Sequence, residues 1–201
     1  ITSGSLASTA VTDLLTQVTG TLTRSIGETV GNYNILLGTG IKASNYNISF
    51  NTGNGSLTIT TRNIIITANS SQSKTYGDTD PTLSYSPAAS SGSTGLVLGD
   101  TFAGSLSRDS GENVGTYAIG QGTLANSNYN ITFVPSNFVI NKANLTISPT
   151  GSLSKNYGQN DPTLTYSVAG LINNSLVHDA DPNTVISGSL FRAPGESIGN
   201  Y

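Results

Sequence analysis

The sequence of 201 residues contains no cysteine, no methionine and no tryptophan. Without cysteine the chain cannot form disulfides, so packing alone must hold it together. Because many secreted proteins rely on disulfides, this absence disfavours a eukaryotic secreted scaffold. It suits a protein that crosses bacterial membranes unfolded, since no thiols can mispair. Charged residues are also scarce, at 9% of the chain against ~25% in ordinary domains.

The composition also disfavours two classes of partner. The net charge of -3 argues against binding to nucleic acid, which requires a basic face. No apolar run approaches the ~18 residues of a membrane span. The longest aliphatic run is Ile64-Ile65-Ile66, which fits a strand. We therefore expect no nucleic-acid partner and no membrane insertion in this segment.

What the chain has instead is a long internal repeat. The segment Gly104-Ser-Leu-Ser-Arg-Asp-Ser-Gly-Glu-Asn-Val-Gly-Thr-Tyr117 has close counterparts that begin at Gly20 and Gly188. Each is offset from the next by 84 residues. A fixed period of this size indicates an array of small domains. We divide the chain into a partial repeat at 1–61, a complete repeat at 62–143 and a partial repeat at 144–201, and expect it to belong to a longer protein.

The pattern within each repeat predicts β-structure. Short runs rich in Ile, Val, Thr, Tyr and Phe alternate with turn residues, and almost nothing has helical periodicity. We expect tandem small β-sandwich domains of the immunoglobulin-like type in a rod-like array. The alternative is a β-grasp-like repeat, which requires a helix after Tyr85 or Tyr166. In the complete repeat the predicted strands are 63–68, 82–86, 101–107, 115–123, 129–134 and 137–143.

Successive repeats are joined by very short segments. The last predicted strand of one repeat runs almost directly into the first strand of the next, at 61–63 and again at 142–144. Short linkers permit little independent motion of the domains that they join. The sequence therefore predicts a semi-rigid array.

Recurring turn residues are the candidate structural sites. Lys74-Thr-Tyr-Gly-Asp-Thr-Asp-Pro81 matches Lys155-Asn-Tyr-Gly-Gln-Asn-Asp-Pro162. In both loops the glycine can adopt a positive φ, and the Asp-Pro pair favours an Asx turn. Because the loops are equivalent, the two glycines should share one backbone conformation. The predicted turn-fixing residues are Gly77, Asp80, Pro81, Gly111, Glu112, Gly115, Tyr117, Gly158, Asp161 and Pro162.

Together these motifs resemble the MBG/YDG-type repeats. The order is Tyr-Gly-x-x-Asp-Pro-Thr-Leu-x-Tyr from Tyr76, then Gly-Ser-Leu-x-Arg, Gly-Glu-x-x-Gly-x-Tyr, and Asn-Tyr-Asn-Ile-x-Phe from Asn128. Such repeats occur in large bacterial surface and secreted adhesins, including filamentous haemagglutinin-like proteins. The resemblance spans essentially the whole chain and implies an exported, surface-associated β-rich region without catalytic residues or cofactors. The third repeat departs at Leu176–Asn183, where residues are inserted.

Two catalytic interpretations can be set against structural ones. The only histidine, His178, could act with Asp179 and a serine as a nucleophilic site, but it lies in the divergent loop, where an exposed histidine is the simpler interpretation. Glu28, Glu112 and Glu196 could act as acids or bases. Each follows an arginine by four residues, which favours an ion pair that orders the Gly-Glu loop.

Calcium and sugars are the remaining candidate ligands. Extracellular β-domains can be stiffened by calcium bound to oxygen ligands, although no spacing here matches a known calcium loop. The candidate ligands are Asp78, Asp80, Asp100, Asp161, Asp179 and Asp181. The recurring tyrosines Tyr33, Tyr117 and Tyr201, and Tyr76 with Tyr157, could stack on sugars, but their fixed positions favour packing.

The sequence supports a non-catalytic role. We expect a semi-rigid stalk or cohesive fibre of a bacterial extracellular adhesin, at the cell surface or in a secreted biofilm matrix. The expected partners are neighbouring repeats of the same chain. The alternatives are polymerisation with like molecules into a filament through edge strands, and direct binding of glycans or host surface proteins.

Overall fold

The computed structural model describes residues 18–43 and 46–201, and nearly all regular structure in that part of the chain is β-strand. Residues 1–17 of the first repeat lie outside the described residues. Within these described residues the helices are a 3-10 turn at Thr52–Asn54 and a single turn, α1, at Pro182–Val185. The strands are β1 Val18–Thr19, β2 Thr23–Arg24, β3 Gly31–Leu36, β4 Lys42–Ala43, β5 Ser56–Ile59, β6 Arg62–Ala68, β7 Gln72–Thr75, β8 Tyr85–Pro87, β9 Ser107–Arg108, β10 Gly115–Gly120, β11 Tyr129–Val134, β12 Ser136–Asn141, β13 Thr146–Thr150 and β14 Thr165–Ala169.

The complete repeat contains two small sheets. One has four strands in the order β7-β12-β10-β9, and the other has three in the order β11-β6-β8. Strands β10 and β12 pair antiparallel, with Tyr117 opposite Phe138. Strands β7 and β12 pair in parallel, from Gln72 opposite Phe138 to Thr75 opposite Asn141. The first strand of this sheet along the chain therefore runs beside its last strand in the same direction.

Alternation along the strands builds the core. In β6, Ile64 and Ile66 are buried whereas Ile65 between them is half exposed, because successive side chains of a strand point to opposite faces. Strand β12 does the same with Phe138 and Ile140, which are fully buried. Full burial of each such side chain is worth ~1.5–3 kcal/mol, so a few of them supply the main stabilisation of a domain without disulfides.

The described parts of the flanking repeats form smaller sheets. Strands β2, β3 and β5 make a three-stranded sheet, β1 pairs with β4, and β13 pairs with β14 as an antiparallel hairpin. Only Thr60 and Thr61 separate β5 from β6. The segment Lys142–Leu145 separates β12 from β13. Both intervals are as short as the sequence predicts.

The chain divides into two compact units whose segments interleave along the sequence. The first comprises the described residues of Ile1–Ile65 together with Pro87–Phe102 and Ala125–Thr132. The second comprises Ile66–Ser86, Ala103–Leu124 and Phe133–Tyr201. The four-stranded sheet of the complete repeat and the whole of the third repeat belong to the second unit. The repeat boundaries at 61/62 and 143/144 stay a prediction.

The prediction of an all-β chain is confirmed, and most predicted strands of the complete repeat are present with shifted ends. Residues 88–95, where a β-grasp domain would need a helix, contain only turns and isolated bridges. No described helix is long and apolar enough to span a membrane.

The predicted strand at 101–107 is wrong except at its end, because only Ser107 and Arg108 form β9. Gly104 adopts a φ of +82°, and its backbone lies so close to Thr123 that a Cβ would fall 2.2 Å from the Thr123 carbonyl oxygen. This close backbone approach replaces strand pairing. Local sequence patterns do not predict strand β7, which forms because it pairs in parallel with the distant β12.

Candidate functional site

The complete repeat brings together two cations and two carboxylates that are far apart in sequence. Lys74 lies in β7, Asp80 in the following loop, Arg108 at the end of β9 and Glu112 in the Gly-Glu loop. We call these residues the four-charge cluster. Lys74 Nζ lies 2.7 Å from Asp80 Oδ1 and also pairs with Glu112 Oε2. Because Arg108 also contacts both carboxylates, each cation bridges both anions.

Arg108 uses every N–H of its guanidinium group. Nε and Nη2 donate to the two carboxylate oxygens of Asp80 at 2.6 and 2.9 Å, the bidentate geometry in which arginine excels. Nη2 also donates to Glu112 Oε1 at 2.8 Å. Nη1 donates to the carbonyls of Asp109 and Gly111 at 2.9 and 2.6 Å. One side chain therefore ties the Asp-Pro loop to both the backbone and the carboxylate of the Gly-Glu loop.

Two aromatic side chains lie against the same arginine. Arg108 Cζ lies 5.1 Å from the ring centroid of Tyr117 and 5.3 Å from that of Phe138, within the range of a cation–π contact. The Tyr117 hydroxyl donates to the carbonyl of Asn113 at 2.7 Å. Gly111 has a φ of +139°, and a Cβ there would lie 2.6 Å from Tyr117 Cε1. The glycine is therefore required by both its backbone conformation and the ring above it.

The cluster is built from buried cations and partly exposed carboxylates. The side chains of Lys74 and Arg108 are 2% and 6% exposed, whereas those of Asp80 and Glu112 are 37% and 31% exposed. Hydrogen bonds from Arg108 and then Lys74 lower the pKa of Asp80, and those from Lys74 and then Arg108 lower the pKa of Glu112. Burial opposes the charged form of Lys74, but its bonds to Asp80 and Glu112 outweigh this and raise its pKa. All four groups stay ionised near neutral pH, which suits mutual pairing and not proton transfer.

The third repeat carries the same cluster at the equivalent residues. Lys155 Nζ lies 2.6 Å from Asp161 and 2.7 Å from Glu196, and Arg192 lies 2.8 and 2.5 Å from the same carboxylates. Arg192 Cζ lies 5.2 Å from the ring of Tyr201. Hydrogen bonds from Arg192 and Lys155 lower the pKa of Asp161 to about 2. The two cations here are about 20% exposed.

The first repeat shows the arginine–tyrosine half of the arrangement. Arg24 pairs with Glu28, and its Cζ lies 5.0 Å from the ring of Tyr33. The Tyr33 hydroxyl donates to the carbonyl of Thr29 at 2.7 Å. All three repeats therefore place the tyrosine of the Gly-x-Tyr motif in the same packing role, which leaves its ring stacked on protein.

Several predicted turn residues lie in or beside these clusters. Gly77 and Gly158 have φ values of +88° and +83°, the shared conformation that the repeat register predicts. Glu112 pairs with Arg108 as the four-residue spacing suggests. Gly115, by contrast, begins β10 and does not have a positive φ.

Sequence reasoning missed the lysines and the long-range half of the network. Lys74 and Lys155 are at the same position of the two Tyr-Gly loops, and that recurrence is the signal that could have identified them. The pairing of Asp80 with Arg108 spans 28 residues. No local spacing rule reaches so far.

The candidate calcium ligands do not converge. Among the described residues, no group of three or more His, Cys, Asp or Glu side chains is placed to hold a metal ion. Asp80 and Asp161 bind arginine and lysine. Asp100 accepts from the Tyr129 hydroxyl at 2.5 Å, and Asp181 accepts from a backbone N–H at the start of α1.

The candidate histidine is exposed in a hairpin of the third repeat. His178 Nδ1 lies 3.4 Å from Asn173 Oδ1. The carboxylate of its neighbour Asp179 accepts a hydrogen bond from the Tyr76 hydroxyl at 2.8 Å. That carboxylate therefore binds a tyrosine from another repeat, and does not orient the imidazole as a catalytic triad would require.

Comparison with known proteins agrees with the repeat structure. The family model described as MBG domain (YGX type) matches three times in tandem, at residues 2–58, 64–139 and 145–201. No curated protein and no solved structure matches the chain. The family consists of non-enzymatic repeats that are typical of extracellular surface proteins. With nearly its whole length matched, the chain belongs to the MBG domain (YGX type) family and is a tandem array of its repeats.

Proposed function

We propose that this chain is a spacer within a bacterial extracellular adhesin, where it acts as a semi-rigid stalk or cohesive fibre in cell adhesion or a biofilm matrix. The observation that carries the proposal is the recurrence of the four-charge cluster at equivalent positions of two repeats. In both repeats the lysine, the arginine and the two carboxylates of the cluster form ion pairs with one another. A repeated internal tie of this kind suits a load-bearing module.

The strand order supports a mechanical role. Tension that pulls the two ends of the complete repeat apart acts first on β6 and β12. Once it is transmitted to β7, it draws β7 and β12 in opposite directions along their length, because these strands are parallel neighbours. Their hydrogen bonds are then loaded together in shear, and not one after another as in unzipping. Lys74 adds a side-chain tie, since it lies on β7 and binds Glu112 in a different loop.

The joints between repeats support stiffness. Two residues separate β5 from β6, and the segment Lys142–Leu145 separates β12 from β13. Neither interval is long enough to behave as a flexible coil. The array should therefore transmit orientation from one repeat to the next.

Small-angle X-ray scattering of the 201-residue chain over a concentration series, with calcium and with chelator, tests the spacer function. We expect an elongated monomer whose dimensions change with neither concentration nor chelator. A compact or freely jointed particle would overturn the proposal. Shortening on chelation would show that bound calcium, and not the protein's own ion pairs, provides the stiffness.

A second candidate function is self-association into a filament. It is favoured by an aliphatic residue that follows the Gly-Glu pair in every repeat and is exposed each time: Val30 by 37%, Val114 by 46% and Ile198 by 96%. Growth of the scattering particle with concentration, abolished by replacing all three with serine, would support the filament over the isolated stalk.

A further inference from the structure

A pair of side-chain hydrogen bonds joins the complete repeat to the third repeat within the second compact unit. The Tyr76 hydroxyl donates to Asp179 Oδ2 at 2.8 Å, across 103 residues of sequence. The Asn174 side-chain amide donates to the Gly77 carbonyl at 2.8 Å. The hydrogen bond to the Asp179 carboxylate also raises the pKa of Tyr76. The Tyr-Gly turn of one repeat therefore contacts the divergent loop of the next.

The glycine of this turn is in close contact with the same loop. Gly77 has a φ of +88°, and a Cβ there would lie 2.6 Å from Ile172 Cγ2. Any side chain at this position would displace Ile172. The contact is thus made by backbone as well as by side chains, and it depends on close approach of the two loops.

The receiving loop is ordered by its own hydrogen bonds. The Asn174 and Asp179 backbone N–H groups donate to the carbonyls of Val177 and Ile172, at 2.8 and 2.9 Å. The Asn174 side-chain oxygen accepts from the backbone N–H groups of Leu176 and Val177. Val177 is buried. None of these hydrogen bonds within the loop involves Tyr76, and one of them fixes the backbone of Asp179.

The same Tyr-Gly turn also occurs without this contact. In the third repeat Tyr157 is 78% exposed, and a Cβ on Gly158 would meet no atom within 4 Å. The turn itself is unchanged, with the Gln159 N–H donating to Asn156 as the Asp78 N–H donates to Thr75. Forming the turn therefore does not require the partner loop.

The partner loop is the part of the third repeat that departs from the repeat pattern. Leu176-Val-His-Asp179 replaces Leu96-Val-Leu-Gly99, so the preceding repeat has glycine where the third has the tyrosine-binding aspartate. We propose that the loop Ile172–Asp179, whose second half belongs to the divergent segment, is a docking surface for the Tyr-Gly turn of the preceding repeat. The two form a latch that fixes the junction between the complete repeat and the third repeat. The latch gives a role to Tyr76, Asn174 and Asp179, which do not belong to the four-charge cluster.

The benefit of the latch rests on the proposed spacer function, because a latch between two repeats makes the array stiffer at that junction. The contact can be tested separately. Because the chain has no cysteine, spin labels can be placed uniquely by Thr116→Cys and Ser167→Cys on two exposed strand positions. Double electron–electron resonance then gives the distribution of distances between the two repeats.

We expect one narrow distance distribution, which Tyr76→Phe and Asp179→Asn each broaden, while the double variant is no broader than either single one. The matched control Tyr157→Phe removes the equivalent hydroxyl of the third repeat and should leave the width unchanged. Hydrogen exchange of the backbone amides at 172–179 should speed up about tenfold in Tyr76→Phe, as loss of a hydrogen bond to a charged group implies.

An unchanged width in Tyr76→Phe, or equal broadening by Tyr157→Phe, would overturn the latch. Gly77→Ala, with Gly158→Ala as its control, provides a second test that does not remove a hydroxyl. Unchanged amide exchange in the cores of both repeats would show that each variant is folded. If only the latch proposal fails, small-angle scattering should still show an elongated chain. If the spacer function fails, scattering should show a compact or freely jointed particle, so the two failures are distinguishable.

Discussion

Replacing Arg108 by lysine should destabilise the complete repeat even though the charge is kept. The guanidinium donates to two carboxylates and two backbone carbonyls through all of its N–H groups. A lysine ammonium has three donors on one nitrogen and cannot form the bidentate bond to Asp80. At least two of the five hydrogen bonds made by Arg108 must therefore be lost.

The size of the loss follows from burial. Hydrogen bonds to charged groups contribute ~1.5–3 kcal/mol, whereas exposed ion pairs contribute ~0.2–1 kcal/mol. The Arg108 side chain is 6% exposed, but its carboxylate partners are about one third exposed, which screens part of the interaction. We therefore expect Arg108→Lys to lower the free energy of unfolding by ~2 kcal/mol, which corresponds to ~8–16 °C in Tm for a domain of this size.

Hydrogen exchange with peptide resolution is the suitable assay, because it reports each repeat separately. In the regime where exchange follows unfolding, ~2 kcal/mol is about a thirtyfold loss of protection in β10 and β12. The control is Arg192→Lys in the third repeat, whose more exposed cluster should change less. Equal effects of the two variants, or a loss below about threefold for Arg108→Lys, would refute the inference that the buried cluster ties the repeat together.

Two further predictions concern acid and backbone strain. Because the folded pKa of Asp161 is lowered from 3.8 to about 2, its contribution to stability is present above 3.8 and is lost as the pH falls toward about 2; a urea midpoint for the third repeat that stays constant over this range would contradict the ion pair. Gly111→Ala should destabilise the complete repeat by ~1–3 kcal/mol through its positive φ and its clash with Tyr117. Gly115→Ala, where the nearest atom to a Cβ is 3.8 Å away, should cost less in the same urea titration.

Local patterns in the sequence predict what depends on neighbours in the chain. Ile64-Ile65-Ile66 marks β6 because alternation of burial is a property of one strand. Arg108 and Glu112 pair across four residues, and the motif shows both partners. Because the repeats match, residues at equivalent positions can be expected to share a backbone conformation. Gly77 and Gly158 do so, although their surroundings differ.

The features that were missed depend on partners distant in sequence. Strand β7 has no marked alternation and forms because β12 lies beside it. Lys74 looks like an ordinary surface lysine until the fold places two carboxylates beside it. The contact of Tyr76 with Asp179 joins different repeats, and only one of the two loops departs from the repeat pattern. One sequence therefore shows both residues of each long-range contact, but it does not show that they pair.

Building a repeat on a small apolar core and one arginine-centred cluster has a consequence for how such a chain can evolve. The residues that secure the complete repeat are few: the buried side chains of its core and the groups around Arg108. Exposed strand positions, such as Thr67 of β6 and Thr116 of β10, carry small polar residues. Substitutions there should be nearly neutral for folding. A repeat of this design can therefore vary in its exposed sequence while its fold is kept.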